Sequence, residues 1–315
     1  GLLPYEAARI TVMTLIELSL ILLIVFGVLL SDWKPGGLLF LLLGGFSILW
    51  LPGLQAVVTA DIRVFFLMLQ FLALWLYRIK RDTAAGIVSS VAFSGPGLIF
   101  PVFVFQLFTA VRERRWNYLA GWIAALVALI GLSFRAFPNW PAAWLREMLR
   151  WMTEEHGLVS LSDFRNLLNP YPFPFVVGLL IIGLIVSYLM LEWRLAGGKG
   201  DSWNQWTLLM TVSLSQFLFF FPSISIQVAL LPVLCLIFSV WDFRRGRKAA
   251  WLIAGSLVLL LAYSWGWFYA AGEGSFFLLY GPPLLAVLGL WWIRWWKLHD
   301  GLSMPMDYLD SPNTP

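Results

Sequence analysis

Charge is what this chain has least of. Of its 315 residues only 12% are Asp, Glu, Lys or Arg, against roughly 25% in an ordinary soluble domain. So few charged groups cannot cover a water-facing surface. That excludes a soluble globular enzyme and a disordered chain. It also excludes a nucleic-acid-binding domain, despite the net charge of +4. One Cys excludes a disulfide framework, and one Cys with two His excludes a zinc cluster. There is no G-x-x-x-x-G-K-[ST] phosphate loop, no H-E-x-x-H helix and no haem signature. No cofactor and no metal is therefore expected. The chain opens on Gly1, without an initiator Met, a basic leader or a cleavage pattern. A membrane segment follows almost at once, so a missing upstream part is expected.

What the chain does have is apolar. Hydrophobic residues make up 60%, with 19 Trp and 25 Phe, as in a lipid-embedded protein with aromatic belts at its interfaces. Long apolar runs mark membrane segments at 9–30, 38–51, 62–78, 117–134, 174–193, 203–221, 225–242, 249–268 and 276–293. A further stretch, 83–111, is interrupted at Ser94-Gly95-Pro96-Gly97, where a helix stops. Basic clusters flank it, Arg78, Lys80 and Arg81 before and Arg112, Arg114 and Arg115 after. A single crossing would set these clusters on opposite faces. The stretch is therefore read as a hairpin of two short helices, 83–94 and 97–111, giving about eleven segments. The expected fold class is an all-α polytopic transmembrane bundle.

The positive-inside rule orients it. With Arg78 to Arg81 in the cytoplasm, alternation puts 15 of the 21 basic residues on the inner face. Arg9, Arg63, Arg135, Arg146, Arg150 and Arg165 fall outside. Residue 1 is then outside and the tail 298–315 is cytoplasmic. Residues 1–297 form the membrane domain, and one long outer loop spans 135–173. Within it, 141–157 reads as an amphipathic helix lying in the interface. The localisation expected is a bacterial inner membrane, and membrane lipids are the first partners. The inner basic runs, Arg244 to Lys248 among them, read as topology signals and anionic-lipid contacts.

Ionisable residues inside a membrane are costly and are functional candidates by default. Arg9, Met13 and Glu17 recur every four residues and share a helix face. They read either as a polar cavity wall or as an Arg9–Glu17 pair that fixes packing. Asp61 and Arg63 open the 62–78 helix, where an acidic residue complements the dipole; they read either as a cap or as the cavity mouth. Glu155 is one of a cluster of outer-loop groups suited to acid–base work. Arg146, Arg150 and Arg165 suit a phosphate clamp. Gln55, Gln70, Gln106, Gln216 and Gln227 are scattered through the segments without a readable spacing.

The turns carry a resemblance. It lies in Leu2-Leu3-Pro4-Tyr5-Glu6-Ala7-Ala8, the basic turn before Ala85-Gly86, the hairpin closing on Arg114-Arg115-Trp116, and Phe221-Pro222. With these the chain resembles the last two thirds of GT-C-type membrane glycosyltransferases of family 87. That is the polyprenyl-phosphate-mannose-dependent group once called domain of unknown function 2029. Two signatures depart from the family. Ala60-Asp61-Ile62-Arg63 stands where it has Gly-Gln-x-Asn, and Gly95-Pro96 stands for its Lys-Pro. The family's catalytic carboxylate lies in a first outer loop, which this alignment places before residue 1. The resemblance thus implies a truncated or degenerate glycosyltransferase using a polyprenyl-phosphate-linked sugar at the outer leaflet. Arg146, Arg150, Arg165 and Arg63 are the candidates for the lipid phosphate, and Asp61 and Glu155 are the candidates for the base. The alternative is a noncatalytic membrane subunit of a larger complex, or a transporter.

Overall fold

The computed structural model describes residues 4–95, 100–143, 145–146, 174–196, 201–218, 224–272 and 275–299. These residues are all-helical. Among the described residues twelve α-helices have both bounds, and a further helical stretch begins at residue 140. The twelve are α1 (Tyr5–Leu30), α2 (Gly37–Leu49), α3 (Leu51–Val58), α4 (Arg63–Arg78), α5 (Asp82–Phe93) and α6 (Phe100–Arg112). Then come α7 (Trp116–Ala136), α8 (Pro174–Ala196), α9 (Asp201–Leu218), α10 (Leu231–Arg245), α11 (Arg247–Ala271) and α12 (Phe276–His299). A 3₁₀ segment, Ile224–Leu230, leads into α10.

Among the described residues six helices are long and apolar enough to cross a membrane, and the bent pair α2–α3, taken as one span, makes a seventh. Eleven crossings are not supported. The expected span 38–51 is one of the differences: α2 ends at Trp50, and α3 sets off at a bend of 56°. Pro52 sits in the first turn of α3, where its missing N–H costs nothing. Gly53 makes the bend possible, because a Cβ there would lie 1.9 Å from the Ser47 carbonyl oxygen.

Helices α5 and α6 do form a hairpin. Asp82 pairs with Arg115 at 3.2 Å, Ser89 Oγ lies 3.4 Å from Gln106 Oε1, and the Phe93 and Phe103 rings stack at 4.6 Å. These pairings run antiparallel, so both flanking basic clusters meet at one end. With 12 and 13 residues the two helices are about 18 and 20 Å long, short of a hydrocarbon core of roughly 30 Å. Neither helix alone is therefore long enough to cross a membrane.

Four helix ends share one device. Asp32, Ala60, Lys80 and Arg114 follow α1, α3, α4 and α6 in the left-handed region. The next residue then donates its N–H back across the turn: Trp33 to Val28, Asp61 to Ala56, Arg81 to Leu76 and Arg115 to Ala110. This satisfies carbonyls the helix leaves open, in the Schellman manner, though without the usual glycine. It also fixes where Asp61 and Arg115 stand.

The core is built on α1, α4 and α10, with the 3₁₀ segment entirely buried. Gly27 lets α1 close on α10, since a Cβ would stand 2.8 Å from Pro232 Cα. Gly86 and Gly121 do the same for α5 against α7.

Candidate functional site

Arg78, Arg112, Arg115, Arg244 and Arg294 gather at one end. Arg78 bonds the Leu29 and Leu30 carbonyls and the Asp32 carboxylate. Arg115 pairs with Asp82 and Glu113, donates to the Tyr77 carbonyl at 2.7 Å and lies 4.1 Å over the Tyr77 ring. Arg112 reaches the Trp193 carbonyl and Asn204. Arg244 lies over Trp296 at 4.2 Å, and Trp33 donates to Asp242 at 2.9 Å. Arg294 pairs with Glu192, which is 1% exposed, and ties α8 to α12. The charge clusters separated in sequence are thus one belt in space.

At this end a small cleft of about 70 Å³, largely apolar with a few polar groups, opens between α4, α6 and α9. Tyr77, Arg78, Gln106, Glu113, Arg115 and Gln205 give it its chemistry. Behind it runs a buried chain of side chains. Gln70 donates to Gln106 at 2.8 Å, Ser89 to Gln106, and the Tyr118 hydroxyl to Ser89 at 3.0 Å. Such a chain joins α4, α5, α6 and α7 and fixes their register, because each group left alone would carry a desolvation cost. Sequence reading missed it: Gln70 and Gln106 are 36 residues apart and share no local pattern.

The opposite end has a smaller polar centre. Arg63 grips Asp61 through Nε at 2.7 Å and Nη2 at 2.6 Å, and its backbone N–H donates to the same carboxylate. Ser225, from the 3₁₀ segment, donates the third side-chain bond at 2.5 Å. Burial alone would push the Asp61 carboxyl up. The bonds from Arg63 and Ser225, with the Arg63 charge, outweigh it and hold the group below the ordinary carboxylate range. Both oxygens are engaged, so Asp61 acts as a clamp between the start of α4 and the segment leading into α10. Nearby, Gln227 donates to the Leu278 and Leu279 carbonyls and anchors α12.

Between the two ends lies an open groove of about 520 Å³, walled by α10, α11 and α12. Leu234, Phe238, Leu259, Leu285 and Trp241 line it, with Trp50 near its far end. From Leu230 to Trp241 it follows α10 for about 16 Å, eleven residues of helical rise. The lining presents carbon. Trp50 Nε1 donates to Ser264, Ser256 to the Leu252 carbonyl, and the Tyr263 hydroxyl to the Phe277 carbonyl. Gly281 permits that last contact, since a Cβ would stand 2.0 Å from the Tyr263 oxygen. Among the described residues no Asp or Glu lines the groove.

The sequence candidates divide accordingly. Asp61 and Arg63 meet in the small polar centre. Arg9 and Glu17 are both exposed on α1, line neither the cleft nor the groove, and make no ion pair with each other. Arg146 is exposed on a helical stretch that begins at residue 140. Arg150, Arg165 and Glu155 lie outside the described residues, as do most of the expected interfacial helix 141–157 and the tail after 299. Among the described residues no group of three His, Cys, Asp or Glu is placed to hold a metal.

No family model matches the chain, and neither a curated protein nor a solved structure matches it.

Proposed function

We propose that this chain is the lipid-binding part of an integral-membrane, GT-C-like glycosyltransferase. It would hold a polyprenyl-phosphate-linked sugar, mannose-type, at the outer leaflet of a bacterial inner membrane. The observation that carries the lipid half is the groove, an apolar channel long enough to take a single hydrocarbon chain. The resemblance in the turns carries the sugar half. The end of the groove near Trp50 lies toward the Asp61–Arg63 centre, on the face that receives the outer loop in the charge-based topology. Arg63 keeps 28% of its side chain exposed there and is the described group suited to a phosphate, with Arg146, Arg150 and Arg165 supplied by the loop.

Transfer needs a carboxylate to take the acceptor proton. Asp61 is a poor choice, since its oxygens are already committed to Arg63 and Ser225. This favours a second reading, a noncatalytic membrane subunit that binds the lipid and leaves chemistry to another chain.

The test pairs two assays on the protein in nanodiscs. Binding of polyprenyl phosphate is followed by Trp fluorescence, and mannose transfer from the loaded lipid is measured beside it. Binding that Ala286→Trp abolishes by filling the groove is expected, with turnover barely above background. Absence of binding overturns the lipid reading. Robust turnover abolished by Asp61→Asn or Glu155→Gln overturns the noncatalytic one and places the base in this chain.

A further inference from the structure

Helix α1 carries a carboxylate where a membrane tolerates one least. Its 26 residues rise about 39 Å, and Glu17 stands about 18 Å from one end and 20 Å from the other. It is therefore at mid-depth. It is also exposed, on the flank of α1 beside the buried stripe of Ile16, Ser19, Leu20 and Leu23, and the same line meets the core two turns on at Ile24. Among the described residues nothing pairs with it.

The surroundings of Glu17 form a pattern. Ile10, Thr14, Glu17 and Ile21 are all exposed and follow one another at spacings of four, three and four. That is the seam by which one helix packs along another. Leu18, 53% exposed, and Leu22 flank it. The seam is thus apolar with one acidic point at its centre. A charged side chain facing hydrocarbon costs several kcal/mol at the centre of a span, and such groups almost always face a protein partner.

We propose that this seam docks a further transmembrane helix that carries a Lys or Arg at the depth of Glu17. Charge complementarity selects that occupant. A second copy of the chain would bring a second Glu17 to the same depth, so it does not answer the charge. Arg9 lies eight residues away, about 12 Å along the axis, and cannot serve from a parallel copy. The inference is independent of the groove and of glycosyl transfer. It concerns what completes the bundle on the α1 side.

The probe is a set of 23-residue poly-leucine helices with one guest residue, reconstituted with the full chain in vesicles and followed by energy transfer. The guests are Lys at the centre, Lys nine residues off centre, Asp at the centre, and Leu. The central-Lys helix should associate about tenfold better than the others, the size of one or two membrane-buried polar contacts. Glu17→Leu should erase the preference, while Glu17→Gln should keep only part of it. Far-ultraviolet dichroism and thermal unfolding check that the variants remain folded. Equal association of all four helices would mean a lipid-facing seam and overturns the proposal. So would a preference that survives Glu17→Leu. Self-association of two labelled copies, lost on Glu17→Leu, would make a second copy the occupant and overturn it equally.

Discussion

The segment Ile224–Arg245, containing α10, and helix α7 satisfy the same length and hydropathy requirements for a membrane span, yet 89% of the first is buried and only 6% of the second. The apolar surface of α7 is left exposed by the bundle, and that of α10 meets protein. In a bilayer the two surroundings are almost equally apolar, so hydropathy does not sort them. What sorts them is close approach and polar contact. α10 is met by Gly27 of α1 and tied at one end by Trp33 to Asp242. α7 is held near its first turns alone, where Gly86, Gly121 and the Tyr118–Ser89 bond seat it against α5. Beyond them most of its side chains are exposed, with Phe134 meeting the Trp140 ring at 5.9 Å. Core and rim are therefore built from the same residue types and differ in the few contacts that fix them.

If the rim depends on single polar contacts, the largest effect should come from removing one. Arg294→Met strips the paired cation from Glu192, whose side chain is 1% exposed between α8 and α12. Leaving a buried charge uncompensated costs about 3–5 kcal/mol. The double variant Glu192→Met with Arg294→Met should recover most of that loss, measured by reversible unfolding in detergent. Equal losses in single and double variants would show that packing, and not the ion pair, holds α8.

Asp61→Asn should come next. It removes charge-assisted bonds to Arg63 and Ser225, worth about 1.5–3 kcal/mol. The folded carboxyl lies below its ordinary value of 3.8. Its contribution is then complete above that value and is lost as pH falls through the lower folded one. The acid limb of the stability–pH curve should therefore flatten in the variant. An unchanged limb would place the acid sensitivity elsewhere.

Glycine substitutions sharpen the contrast directly. Gly27→Ala forces a methyl group against Pro232 and Cys235, and overpacking of this kind costs about 1–3 kcal/mol. Gly131, in the rim part of α7, has nothing within 4 Å of a new Cβ. Gly131→Ala should instead stabilise by about 0.5–1 kcal/mol, the helix-propensity gain. Opposite signs at two glycines in two apolar helices would separate core from rim in one experiment. The same sign at both would erase the distinction.

Low charge and long apolar runs determined by themselves that the chain is helical and membrane-like, because nothing else can satisfy its backbone in lipid. The Gly95-Pro96 break and the two flanking basic clusters also determined the hairpin, since charge keeps both of its ends in water. The local sequence did not determine the bend at Trp50, which rests on Gly53 fitting against Ser47, nor the Gln70–Gln106 bond across 36 residues. Asp61 was legible as a helix-start acid, but its clamp to Ser225 joins residues 164 apart in sequence. Glu17 was legible as an intramembrane charge, but only the packed bundle decided that it faces outward. Periodicity marks which residues share a face. Which face is turned to the core is decided by the glycines and polar pairs that let particular helices approach, and those are properties of the assembled bundle.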